Sequence, residues 1–273
     1  MERRLNFDLA GLRERAMRGP RRAAAFLGLT ERFLEGELPR SLSLGGNMQI
    51  RMLPDPIPED LAAELGSEFR HWIISNALRE LDQFLSLMLD ECWDLVEACR
   101  IVSGEQPANY QWRRIDIQTN VAAKHRRVLE AAGKYAPPHT DDNEYLETLS
   151  NARNCIAHNL GLVDQRRAPD GSMRMRWLHF RIQIAQGNRV YNLDEIGLPF
   201  QLPGGEEGRV QVEVVVAERE FRLGERVAVS PRQLLQIALL YQMIIERLGV
   251  AISERAREAG VVFPDPATEP QPA

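Results

Sequence analysis

Residues 231–248 constrain the fold more than any other stretch. Leu234, Leu235, Ile237, Ala238, Leu240, Tyr241, Ile244, Ile245 and Leu248 fall on most sides of a helix. A helix that is apolar around most of its circumference has to be enclosed by other elements. Ser230-Pro231 marks its start, because a serine oxygen can accept from a first-turn amide and proline's missing N–H costs nothing at the first helical position. Gly249 is the expected stop. The rest of the chain must therefore supply helices to wrap this one.

It does so on both sides in sequence. Pro54, Pro56 and Pro58 end an irregular preface in which short helical stretches around 9–17 and 22–33 are separated by Gly19-Pro20, with a turn at Gly45-Gly46-Asn47. From 60 to 99, Leu65, Phe69, Trp72, Ile73, Leu81, Leu85, Met88, Cys92, Val96 and Cys99 recur at helical spacing, as one long helix or two in tandem. A further helix is expected over 120–135, ended by Pro137-Pro138. Another starts at Asp141, where Glu144 three residues on suggests a capping box, and ends at Gly161.

The period then changes from helical to two. Met173, Met175 and Trp177 alternate with Arg174 and Arg176, after which Leu178, Phe180, Ile182 and Ile184 take the apolar phase, so a bulge is expected near 177–178. Gln186-Gly187-Asn188 suits a hairpin turn, Val210 to Val216 alternate as a strand, and Phe221, Leu223, Val227 and Val229 suggest a return. The expected class is α+β, mainly α. An irregular arm (1–59) precedes a helical bundle (60–162), a small antiparallel sheet is inserted (163–229), a closing helix follows (230–257), and the proline-rich tail (258–273) is expected to be disordered.

Composition removes several functional classes. With 44% hydrophobic and 27% charged residues in 273, the chain can bury a core. Its three cysteines, Cys92, Cys99 and Cys155, show no C-x-x-C spacing, which argues for free thiols in a reducing compartment and against a cysteine-built metal site. No apolar run reaches the ~20 residues of a membrane span and the N-terminus has no signal-type apolar segment, so the expected location is cytoplasmic, away from membranes. Net charge is −5, yet residues 151–190 hold seven arginines against two aspartates, a local +5 that leaves −10 for the remainder. Arg166, Arg167, Arg174 and Arg176 in this island are candidate RNA contacts, or simply the wet face of a strand.

The island begins in Asn151-Ala-Arg-Asn-Cys-Ile-Ala-His-Asn-Leu-Gly161. Arg153, Asn154 and His158 crowd polar groups where a bundle helix would otherwise want leucine. On an ideal helix Asn154 and His158 are nearly superposed, and Arg153 lies about 140° round from His158. Arginine offers a permanently charged fork for phosphate, and histidine can move protons near neutral pH.

This R-N-x-x-x-H stretch, late in a helical bundle, resembles the signature of the HEPN superfamily, with Arg153 as its arginine, Asn154 as the polar residue that follows and His158 as its histidine. The resemblance covers about half the chain. It implies a metal-independent endoribonuclease of the defence or toxin type, needing no cofactor, with RNA as substrate and two motifs facing each other in a homodimer. A cognate regulatory protein is also implied. Arg153 would hold the scissile phosphate, His158 would transfer a proton, and Asn154 would orient either. Products would carry 2′,3′-cyclic phosphate and 5′-hydroxyl ends. The alternative is a non-catalytic HEPN-like module that binds protein or RNA, in which Arg153 pairs with Glu80 or Asp82, the asparagines cap the helix and His158 favours its C-terminal dipole. Leu160 stands where antitoxin-regulated relatives keep a tyrosine, so control by tyrosine modification is not expected.

Other candidates are weaker. Lys124-His125-Arg126-Arg127 reads as a basic helical face, His139 precedes two aspartates without a second histidine at ligand spacing, and His71 and His179 have no partner legible in the sequence. Gly45-Gly46 and Gly204-Gly205 lack the context of a phosphate loop.

Overall fold

The computed structural model describes residues 7–34, 42–45, 48–50, 54, 56–106, 120–133, 141–192 and 208–261. Its elements in chain order are α1 (Leu9–Leu34), β1 (Leu42–Gly45), β2 (Met48–Ile50), α2 (Glu59–Val102), α3 (Val121–Ala132), α4 (Asp142–His158), β3 (Ser172–Gln186), β4 (Arg189–Asn192), β5 (Arg209–Arg222) and α5 (Pro231–Glu258). The protein is mainly helical, with a three-stranded antiparallel sheet in the order β4-β3-β5 and a small β1-β2 hairpin.

Helix α5 is the axis of the packing. Leu234, Ile237, Leu240, Ile244, Ile245 and Ile252 are fully buried, and α1, α2, α3 and β3 all pack against it. Ser230 accepts from Gln233 N while the Gln233 side chain returns the bond, so the expected start holds as a reciprocal cap. Gly249 does not stop the helix. Ala251, Ile252, Arg255 and Ala256 continue the buried stripe, and that burial outweighs glycine's modest helix penalty of about 1 kcal/mol. By composition alone α5 is apolar enough to cross a membrane, with an 18-residue window of mean hydropathy 1.5, although the sequence shows no uninterrupted apolar run of that length. Within this fold 61% of that window is buried against other elements.

The segment expected to be irregular before residue 59 contains a 26-residue helix. Gly19-Pro20 does not break α1. Proline in a helix interior loses one backbone bond and costs about 3 kcal/mol, and here the neighbouring contacts offset it. Leu12, Ala16, Met17, Ala23 and Leu27 are buried, and Gly19 lets the helix lie directly on α2, where an added Cβ would come 3.2 Å from Phe84 Cβ and 3.3 Å from the Glu80 carbonyl oxygen.

Helix α2 is one 44-residue element. Helix α3 starts at Asn120, whose side chain accepts from Ala123 N at 2.8 Å, and ends at Gly133 with φ +64°. Pro137-Pro138 and His139, the Gly46-Asn47 and Gly204-Gly205 pairs, and the tail from 262 lie outside the described residues. At α4 the expected capping box is not made. Asp141 forms no side-chain cap, and Asp142 is buried and bonded by Arg247 instead.

The β3-β5 ladder runs in unbroken register from Ser172↔Arg222 to Ala185↔Arg209, so there is no bulge at 177–178. The phase change has another cause. Met173, Met175 and Trp177 are covered on one face of β3 and Leu178 on the other, so the strand passes a point where both faces are covered. Beyond it Val210, Val212, Val214 and Val216 on β5 are exposed. Gly187-Asn188 makes the turn into β4, and Phe221 belongs to β5 itself rather than to a return strand.

Candidate functional site

Arg153 sits on the fourth turn of α4, on the side that faces α2 and α5. Its Nε and Nη2 donate to Asp82 Oδ2 at 3.1 and 2.9 Å. Ser150 Oγ donates to the same oxygen at 3.3 Å, and the Tyr241 hydroxyl donates to Asp82 Oδ1. Asp82 is only 3% exposed, so these four donors replace its hydration. Burial beside that carboxylate pushes the Tyr241 phenol well above its ordinary range and keeps it a donor. Of the two carboxylates considered for Arg153, Asp82 is the partner; Glu80 faces Arg22 of α1 at 3.2 Å. The side-on grip leaves Nη1 unbonded and the arginine side chain 25% exposed.

His158, on the last turn of α4, points the other way. Its ring is exposed and makes no hydrogen bond among the described residues, and the half-buried Asn154, one turn back, makes none either. The helix end is closed by other groups. The amides of Asn159 and Gly161 both donate to the Cys155 carbonyl at 3.0 Å, Asn159 Nδ2 donates to the Leu162 carbonyl at 2.7 Å, and the chain leaves through positive φ at Leu160 (+52°) and Gly161 (+83°). Arg153 and His158 are thus mounted on one helix with no bond between them, in keeping with their angular separation.

The arginine island is largely neutralised by residues that sequence order hides. The ladder sets Arg174 opposite Glu220, Arg176 opposite Glu218 and Arg181 opposite Glu213. Arg176 is paired with Glu144 and with Glu218 at 3.3 Å and lies over the Tyr145 ring, and Arg181 reaches Glu213 at 3.0 Å. Arg167 is bonded to Asp164 in its own turn. Arg166 alone of the four candidate contacts has no such partner among the described residues.

Lys124-His125 is not a surface face. Lys124 is buried, bonded to Asp90 at 2.7 and 2.8 Å and to Ser86 Oγ at 2.9 Å. His125 Nδ1 lies 2.9 Å from Asn143 Oδ1, and burial holds its pKa below the usual histidine value. These pairings escape sequence reading because their carboxylates and amides come from α2 and α4. His179 likewise has a partner, Gln236 Nε2 at 2.6 Å.

Another cluster forms where α4 ends. The loop after α4 and the loop after β5 are stitched by backbone bonds, Val163 N to the Glu225 carbonyl, Gly224 N to the Val163 carbonyl and Val227 N to the Gly161 carbonyl, with Leu162 bridging Arg226. A Cβ on Gly161 would lie 3.2 Å from Arg226 Cγ and 3.4 Å from His71 Cε1, so the arginine stem and the imidazole of α2 both pack close to that glycine. Burial, and secondarily the charge of Arg226, hold the His71 pKa below its ordinary value. Trp72, which the periodicity of α2 places in its apolar stripe, is instead 59% exposed, because that part of α2 is only partly covered, and nothing in that periodicity shows what surrounds His71.

An open cavity of 320 Å³ lined by Phe180, Leu239, Gln242, Met243, Glu246 and Arg247 shares no residue with the motif. The three cysteines are buried free thiols, with their pKa values raised by burial. No group of three or more metal-ligating side chains occurs among the described residues. No protein-family description, no curated protein and no solved structure matches this chain.

Proposed function

We propose that the chain is a HEPN-like, metal-independent endoribonuclease of the defence or toxin type that leaves 2′,3′-cyclic phosphate and 5′-hydroxyl ends. The observation that carries this reading is the exposed, unbonded imidazole of His158 on the same helix as Arg153, whose guanidinium is fixed by a buried carboxylate with one arm left open. A guanidinium locked by Asp82, itself fixed by Ser150 and Tyr241, loses little freedom on meeting a phosphate, which is how binding groups are pre-organised. Asn154, half-buried one turn below His158, would orient the phosphate or the ring.

His158 supplies one proton-transfer group, and transfer to a 2′-hydroxyl nucleophile needs two. A homodimer with facing motifs would bring the second from the partner subunit. Cleavage of RNA in EDTA, analysed for product ends in the unmutated protein and His158→Ala, tests the reading; general acid–base loss should lower the rate by roughly 10²–10⁴.

The second reading, a non-catalytic module that binds RNA or protein, is favoured by two findings: Asp82 uses Arg153 as a structural partner, and the carboxylates of β5 pair with arginines of β3. Under it Arg153→Ala lowers stability and there is no activity to lose.

A further inference from the structure

We propose that β5 is a self-association edge. It pairs antiparallel with β5 of a second copy of this chain, about a two-fold axis through Glu213, to make one continuous sheet in the order β4-β3-β5-β5-β3-β4. The inference goes beyond the nuclease reading and does not rest on it.

Its starting point is an uncovered strand. β5 is an outer strand of the sheet, 14 residues long, and its outer side has no strand partner among the described residues. Natural edges are blunted by lysine, proline or a bulge. β5 holds neither residue, and its ladder with β3 is unbroken. Val210, Val212, Val214 and Val216 share one face, opposite Ile184, Ile182, Phe180 and Leu178, and are 61, 60, 49 and 47% exposed. The missing neighbour accounts for that exposure. Ile184, flanked by Val210 on one side and Tyr191 of β4 on the other, is half-buried, whereas Val210 beside it is not. A β-branched run of this kind on a free edge is a template for further pairing.

The sequence pattern selects a second copy as the occupant. Residues directly opposite in an antiparallel pair lie on the same face, so a two-fold axis between two copies of one strand must pass through a residue. The four valines are symmetric about Glu213. An axis there sets Val210 opposite the partner's Val216 and Val212 opposite the partner's Val214, so every valine meets a valine. Moved on to Val214, the axis would set Arg209 opposite the partner's Arg219 and Val210 opposite the partner's Glu218. Moved back to Val212, it would leave Val216 facing past the end of the partner strand. The two Glu213 carboxylates meet on the other face of the sheet, and each is neutralised by its own Arg181 at 3.0 Å. Such a contact is isologous and closed, so it removes the edge instead of extending it into a filament.

The axis is also clear of the motif helix. Glu213 lies nine residues before Arg222, about 30 Å along the strand, and the loop that meets the end of α4 begins only after Arg222. A facing-motif contact at α4 and the β5 contact use different surfaces, and one chain can make both.

The test uses the full chain. Glu213→Cys places a thiol on the axis with its Cα about 4.5–5.5 Å from its mate, inside the disulfide range, so mild oxidation should link most of the protein into covalent dimers on a non-reducing gel. Gln211→Cys, whose mate stands about 13 Å away along the strands, should link little, and the native thiols are buried. By light scattering, the double variant Val212→Glu, Val214→Glu should have half the mass of the unmutated protein. Its thermal melt should be no lower than that of the separated single chain, because both valines are exposed. Equal masses for the double variant and the unmutated protein would overturn the inference, and so would equal cross-linking of the two cysteine variants. Coverage of β5 by another segment of the same chain, or by a different protein, leaves the mass of the purified protein unchanged in the double variant and sinks the inference in the same way. RNA cleavage is not part of the readout, so either outcome leaves the nuclease reading to its own experiment.

Discussion

Asp82→Ala is the sharpest perturbation of the bundle. It removes the acceptor of Arg153 Nε and Nη2, of the Tyr241 hydroxyl and of Ser150 Oγ in one change. Deleting one partner of a buried ion pair costs about 3–5 kcal/mol, and the lower half applies here because Arg153 is a quarter exposed and water can reach its freed arm. Tyr241 is 2% exposed and cannot be rehydrated in place, which adds about 1–3 kcal/mol for a buried donor without an acceptor. A loss of about 4–7 kcal/mol follows, or a fall in Tm of roughly 8–28 °C at about 2–4 °C per kcal/mol for a chain this long. Asp82→Asn keeps the shape and one acceptor oxygen and should lose about half as much. Far-UV circular dichroism melts and urea titrations measure both, and Arg153→Ala completes a double-mutant cycle whose coupling should be about 1–3 kcal/mol. A loss below about 1 kcal/mol in Asp82→Ala, or strictly additive effects with Arg153→Ala, would refute the reasoning.

Gly161→Ala should destabilise by about 1–3 kcal/mol, because φ is +83° and the new Cβ meets Arg226 Cγ and His71 Cε1; Leu160→Gly, at φ +52° and 78% exposed, should be neutral or stabilising by up to about 1 kcal/mol, and equal losses in both would contradict the αL exit from α4. Ser230→Ala breaks a reciprocal cap and should cost about 0.5–2 kcal/mol in urea unfolding, with Ser230→Asp largely preserving stability. The folded-state pKa of His125 is below its unfolded value, so between the two the unfolded chain holds more protons and stability falls as pH drops below about 6.5. Unfolding at pH 7.5 and 5.5 checks this, and His125→Gln should weaken the dependence; an unchanged slope would count against the burial of that ring.

Much of the helical frame was legible because its signals are local and periodic. Ser230-Pro231 started α5 where expected, and the stripe from Leu65 to Cys99 matched α2. Failures occurred where tertiary packing overrode a local signal: Gly19-Pro20 lies inside α1 because the glycine permits close approach to α2, and Gly249 is passed over because the apolar stripe continues beyond it. Within the site, the backbone positions of Arg153 and His158 on α4 were readable, and Asp82 was among the partners weighed for Arg153. The neutralisation of Arg174, Arg176 and Arg181 was not, since their carboxylates come from β5 more than thirty residues later. The meeting of His71 with Arg226 was equally hidden, because it depends on two loops joined only by backbone bonds.

The central claim is that this chain cuts RNA without a metal, using His158. Incubating the purified protein and its His158→Ala variant with cellular RNA in EDTA, then resolving the product ends, tests it most directly. The account predicts 2′,3′-cyclic phosphate and 5′-hydroxyl ends made by the unmutated protein and reduced at least about 100-fold in the variant. Equal cleavage by both proteins, or cleavage by neither, would contradict it.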